Sequence, residues 1–146
     1  MKPFLRSLLL CLIVVSPAVS PTVAAAHEYY APGFTVIHPW ADATEPDAKS
    51  APIYFKLESV QGKDRLLKAS TPYAESVEFR TDDGKAGKPL KSIDFAPADA
   101  IDFGKGKPHM LLKGLKRPLE WGRSYEMTMV FEKAGPLQVM VSIGAH

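Results

Sequence analysis

An all-β fold, a sandwich or barrel of antiparallel strands, is predicted for this chain from three observations. Short apolar runs with alternating polarity recur about every 10 residues, and clusters of Pro, Gly and Asp lie between them. Helix signals are weak throughout the same region, with no sustained 3.6-residue periodicity.

Taken in order, the runs place strands at Phe34 to His38, Pro52 to Ser59, Leu66 to Ser70, Ser76 to Arg80, Leu90 to Phe95 and His109 to Leu115. Thr81 to Lys88, with Asp82-Asp83-Gly84 and Gly87, reads as an exposed loop; Gly104-Lys105-Gly106-Lys107-Pro108 is another, placed just before His109. That Gly-rich segment lacks the strand-to-helix context of a phosphate-binding loop and reads as a turn. The last two runs, Tyr125 to Glu132 and Leu137 to Ile143, form the clearest unit. Tyr125, Met127, Met129 and Phe131 share one face, as do Leu137, Val139, Val141 and Ile143, and Lys133 to Pro136 makes the turn between them. Two facing apolar ladders of this kind make a core.

Residues 1–26 have the three parts of a secretory signal: Lys2 and Arg6 at a basic start, an apolar stretch from Leu8 to Val15, and Ala24-Ala25-Ala26 at a small-residue end. The expected organisation is therefore a removed leader over 1–26 and one exported domain over 27–146. Pro17 and Pro21 interrupt the apolar stretch, which is too short for a spanning helix of about 20 residues. Removing Lys2 and Arg6 brings the basic residues from 18 to 16, equal to the 16 acidic ones, so a nucleic-acid or anionic-membrane partner has no electrostatic basis. The single cysteine, Cys11, lies in the leader without the small residues a lipoprotein signal places before its cysteine. A mature chain without cysteine excludes a thiolate zinc site, a cysteine nucleophile and any disulfide, and its core must hold the fold unaided.

The possible metal ligands are then His27, His38, His109, His146, methionines and carboxylates. Cleavage after Ala26 would give His27 a free α-amine beside its imidazole, and the two nitrogens can close a chelate ring on one ion. A second imidazole would complete a T-shaped set of three nitrogens, the histidine brace, which suits copper(II). His109, opening a strand after a Gly-rich loop, is the first choice for that second ring, and His38 the second choice, since a histidine before Pro39 and Trp40 could equally be structural. Met127 and Met129 fall on an inward face and read as core filling; Met110 and His109, as strand neighbours, point to opposite faces. Met140 points away from Val139 and Val141 toward an unspecified neighbour. No nucleophile elbow or helix-borne metal motif is present, so an enzyme is not expected.

The segment His38-Pro39-Trp40-Ala41, followed by Thr44, Pro46 and Ala48, resembles the opening of the periplasmic copper chaperones called PCuAC. Further matches are Asp64-Arg65-Leu66, the Ser70-Thr71-Pro72 turn leading to Glu75, Val77 and Glu78, the run from His109 to Leu115, and Phe131 to Gly135. The resemblance spans nearly all of 27–146 and implies a cupredoxin-like Greek-key β-sandwich, a copper cargo and a periplasmic or membrane protein that gives or receives it. The usual family site holds copper(I) with two His and two Met. Here Arg80, Leu90 and Leu111 stand where the first His and both Met are expected, and His109 alone is in register. The chain is similar to a divergent branch associated with particulate methane monooxygenase operons, which implies copper(II) held by a histidine brace of His27 with His109 or His38. A metal-free module that kept the fold and a copper oxidative enzyme are the other readings.

Overall fold

In a computed structural model, which describes residues 27–81 and 87–144, the polypeptide is built from strands and turns, with no helix among the described residues. The strands are β1 (Glu28–Ala31), β2 (Phe34–Ala41), β3 (Ser50–Val60), β4 (Asp64–Ser70), β5 (Ala74–Arg80), β6 (Pro89–Leu90), β7 (Ile93–Phe95), β8 (Ala98–Phe103), β9 (His109–Leu115), β10 (Ser124–Phe131) and β11 (Gly135–Ile143). Their hydrogen-bonded order is β6-β5-β9-β3-β2-β11-β10-β4-β7, with β1 added to β2 and β8 to β3. All pairings are antiparallel except β11 with β2, where Ser142 faces Trp40 and Ile143 faces Ala41.

The two ends of this order lie close in sequence. β6 pairs with β5 and β7 with β4, so the run expected as one strand from Leu90 to Phe95 breaks at Lys91-Ser92, where the chain crosses from one end of the sheet path to the other. The sheet thereby wraps almost into a closed barrel, flattened like a sandwich. β1 and β8 were not among the expected strands. Each is an edge addition whose alternation is too short or too polar to read alone: Glu28 and Tyr30 are exposed on β1, Asp99, Ala100 and Asp102 on β8.

Alternation supplies the core. Tyr125, Met127, Met129 and Phe131 of β10 are buried, and Val139, Val141 and Ile143 of β11 are buried opposite them, with Met127 in register with Val139 and Tyr125 with Val141. Phe34, Phe95 and Phe131 meet edge to face at centroid distances of 4.7–6.0 Å. The β10–β11 turn is tighter than expected, with Gly135 already in β11 at a φ of 78°. Asp64 closes it from β4: its carboxylate accepts the backbone N–H of Lys133 (2.9 Å), Ala134 (3.1 Å) and Arg65 (2.8 Å).

β3 departs from simple alternation. Ile53, Tyr54 and Phe55 are all buried, because Ile53 and Phe55 face the core while Tyr54, on the outer side, is covered by Trp40 and His109. At this strand the sheet divides: Ser50 to Ile53 pair with β9, and Phe55 to Val60 with β8.

Candidate metal centre

His27 and His38 face each other across a hairpin. Ala31 pairs with Phe34, leaving the two-residue turn Pro32-Gly33, in which proline presets the first φ and Gly33 takes a φ of 90°. From there the register runs outward through Tyr29–Val36 and Glu28–Ile37, so the next positions are His27 and His38. The His38 N–H donates to the His27 carbonyl at 2.6 Å, and the two imidazoles meet edge to face with centroids 4.8 Å apart.

The backbone at both residues is unusual. His27 has a φ of 89° and His38 a φ of 44°, a left-handed region that residues with a β-carbon seldom adopt. At His38 the cause is a β-bulge: Ile37 faces Lys56 and Trp40 faces Tyr54, so β2 spends one more residue than β3 over the same span. Bulges of this kind re-aim a side chain, and here the ring is turned out of the ladder toward His27. Ser142 reaches the same place from β11, its hydroxyl 3.1 Å from Nδ1 of His27. Nδ1 of His27 is thus directed to the β11 side of the ring.

His109 lies elsewhere on the outer surface of β9. It is 2 % exposed, packed against the Tyr54 ring at 5.5 Å, and its Nδ1 is 2.7 Å from the Lys107 carbonyl in the Gly-rich turn. Arg80 is its register partner on β5. The Arg80 guanidinium pairs with Glu78 and donates from Nη1 to the Gly87 carbonyl at 2.9 Å, while its Nε is buried without a hydrogen-bond partner among the described residues. Tyr54 and Trp40, with ring centroids 4.7 Å apart, lie on the way from β2 to His109, and Lys105 sits over Trp40 at 5.7 Å. Among the described residues no three His, Cys, Asp or Glu side chains converge. Met110, Met127 and Met129 are buried in the core, and Asp102 is exposed on β8 opposite Lys56. His146 and the expected leader over 1–26 lie outside the described residues.

An LpqE-like family profile matches residues 34–143. The apo PCuAC domain from PmoF1 is 30% identical, covering 82% of this chain and all of its own at a TM-score of 0.71. The chain belongs to the LpqE-like family as a PCuAC domain. The copper-bound PCuAC domain from PmoF2 is 26% identical, over 82% of this chain and 99% of that one, with a TM-score of 0.71. The copper(I) form of DR1885 from Deinococcus radiodurans, 24% identical over 73% of this chain and 75% of its own, shares the fold at a TM-score of 0.62. No curated protein matches. The all-β, cupredoxin-like expectation and the resemblance to PCuAC domains both hold.

In this PCuAC domain the positions where the sequence departs from the usual family pattern fall on the neighbouring strands β5, β6 and β9: Arg80 opposite His109, Leu90 opposite Phe79, and Leu111 opposite Glu78. Opposite His109 the family's first histidine is thus replaced by a guanidinium that is engaged with Glu78 and the Gly87 carbonyl. The sequence reading did not bring His27 and His38 together, although a signal was available: with a two-residue turn at Pro32-Gly33, the two stand equally far from it on either side.

Proposed function

We propose that this domain is a periplasmic copper-binding protein that carries copper(II) on a histidine brace and passes it to a partner protein by ligand exchange. His27, exposed as the first residue by cleavage after Ala26, would contribute its α-amine and Nδ1; His38, rather than His109, would contribute the second imidazole. The observation that carries this is the meeting of the two rings at 4.8 Å on a hairpin whose register leaves His38 no other place. Three nitrogen donors from two residues suit the tetragonal preference of copper(II). The copper-bound domain of PmoF2 and the copper(I) form of DR1885 support copper as the cargo.

The fit of the residues to the ion is good on the donor side and specific in its weakness. Two side chains and one amine make a site that exists only if the amine is free, so a single preceding residue should disable it. A lipid anchor in place of free export would need a cysteine at the mature start, and Cys11 sits inside the apolar stretch. The neutral balance of charges from His27 onward favours a partner recognised by ligand exchange and local shape over one recognised by a broad charged surface.

Copper(II) titration of protein beginning at His27, compared with His38→Ala and His109→Ala variants, separates the two candidate rings. His38→Ala should lower affinity by more than the roughly 10- to 100-fold that loss of an outer-shell partner costs. His109→Ala should leave it near that of the parent. The opposite order would return the second ligand to His109.

A further inference from the structure

Of the mature methionines, Met110, Met127 and Met129 are closed in the core, at 2 % exposure or less, whereas Met140 is 40 % exposed. Its position in the fold is specific. Val139, Val141 and Ile143 of β11 turn into the core, which puts Met140 and Ser142 together on the outer face. Ser142 is the residue whose hydroxyl touches Nδ1 of His27 at 3.1 Å, and Met140 is one step along the same face, roughly 7 Å further by strand geometry. The Met140 backbone is also held against β1: the hydroxyl of Tyr29, two residues from His27, reaches its carbonyl at 3.4 Å. β11 meets β2 at Ser142–Trp40 and Ile143–Ala41, and before those residues it runs beside β1, so Met140 stands on the His27 side of the hairpin.

Met140 thus offers its thioether on the outer face, next along the strand from the residue that touches His27, and not in the core. A thioether is a soft donor that binds copper(I) and has little affinity for copper(II), whereas amine and imidazole nitrogens suit copper(II). The side chain has three rotatable bonds and can sweep toward the His27 ring without moving the strand.

We propose that Met140 is a thioether ligand for copper(I) at the His27–His38 centre, so that one site holds both oxidation states with different donors. This rests on copper binding at His27 and His38. In the copper(II) form the three nitrogens suffice and Met140 stays in solvent; in the copper(I) form the thioether joins the imidazoles. No protein-borne redox step is involved, because either ion can be loaded directly.

The test uses the chain beginning at His27 and its Met140→Leu variant, which keeps size and hydrophobicity at an exposed position. Copper(I) affinity is measured without oxygen by competition with a coloured copper(I) chelator, copper(II) affinity by titration, and sulfur coordination by X-ray absorption of the copper(I) form. Met140→Leu should weaken copper(I) binding by about tenfold or more while leaving copper(II) binding unchanged, and should remove a copper–sulfur distance present in the parent. Equal copper(I) affinities, or a copper(I) parent without a sulfur neighbour, would overturn the role of Met140 while leaving the histidines in place. Copper(II) binding indifferent to His38→Ala would overturn the centre itself, and Met140 with it.

Discussion

His38 keeps a φ of 44° despite its β-carbon and stands immediately before a proline, which further narrows what its backbone can do. Strain of this kind costs on the order of 1–3 kcal/mol and persists where the surroundings over-determine it, commonly at functional sites. Glycine would relieve it. His38→Gly should therefore unfold at the same denaturant concentration as the parent or a slightly higher one, while losing most of its copper(II) affinity; a chain destabilised by the change would show that the ring serves the fold. His109 should behave in the reverse sense. Its ring is buried and hydrogen-bonded to the Lys107 carbonyl at 2.7 Å, so His109→Ala should cost about 1–3 kcal/mol of stability in denaturant melts and little copper(II) affinity.

Asp64 supplies the pH dependence at this scale. Partial burial pushes its carboxyl upward, but the backbone N–H groups of Lys133, Arg65 and Ala134, with the Lys133 charge, together outweigh that and hold it below the ordinary aspartate value. A carboxyl lowered by folding contributes stability above its unfolded value, about 3.9, and loses it as pH falls through the lower folded value. Asp64→Asn should destabilise the domain by about 1–3 kcal/mol at neutral pH and flatten the acid limb of its stability curve below about pH 4. Urea midpoints between pH 2.5 and 7 for the two chains measure both effects.

At the scale of elements, the β1–β2 hairpin is the device that brings the two histidines of the proposed centre together. Pro32 presets one turn residue, Gly33 supplies the positive φ, and the register then leaves His27 opposite His38. Gly33→Ala meets no clash, because nothing lies within 4 Å of the added carbon, so its effect is conformational alone. It should cost about 1 kcal/mol and weaken copper(II) binding through the misaligned hairpin, with no ligand altered. Copper(II) affinity unchanged in Gly33→Ala, beside a measured loss of stability, would mean that the hairpin does not set the site. The hairpin was half legible in the sequence. Phe34 to His38 showed as a strand, but Glu28 to Ala31 is short, half exposed and polar at alternate positions, so the partner strand and with it the pairing of the histidines were missed. The bulge was hidden for a different reason: it is fixed by where β3 pairs with β2, and alternation within one strand does not reveal it.

For the whole molecule, period-2 patterning of the apolar residues carried most of the fold. β9 falls at His109–Leu115 as expected, the β10 and β11 ladders interlock as expected, and the methionines expected in the core are there. The break between β6 and β7 was not legible, because a short chain crossing between the ends of a nearly closed sheet looks in sequence like a continuous strand. With no cysteine after Ala26, stability rests on packing, and Phe131, 1 % exposed and edge to face with Phe34 and Phe95, lies at its centre. Phe131→Ala should cost about 3–5 kcal/mol, read as a lowered urea midpoint, and a loss much under 2 would mean that the core is less cooperative than its contacts imply. The same wrapped sheet brings β11 back beside β2 in parallel, which sets Ser142 against a histidine more than 100 residues earlier in the chain.

The most direct test of the central claim is electron paramagnetic resonance during copper(II) titration of three chains: one verified to begin at His27, one with a single alanine added before it, and His38→Ala. A nitrogen-rich axial spectrum at one copper per chain, altered by the added alanine and lost or strongly weakened in His38→Ala, is the predicted result. Weak binding that is the same in all three would contradict it, and the fold would then be a PCuAC scaffold that no longer holds copper at its amino terminus.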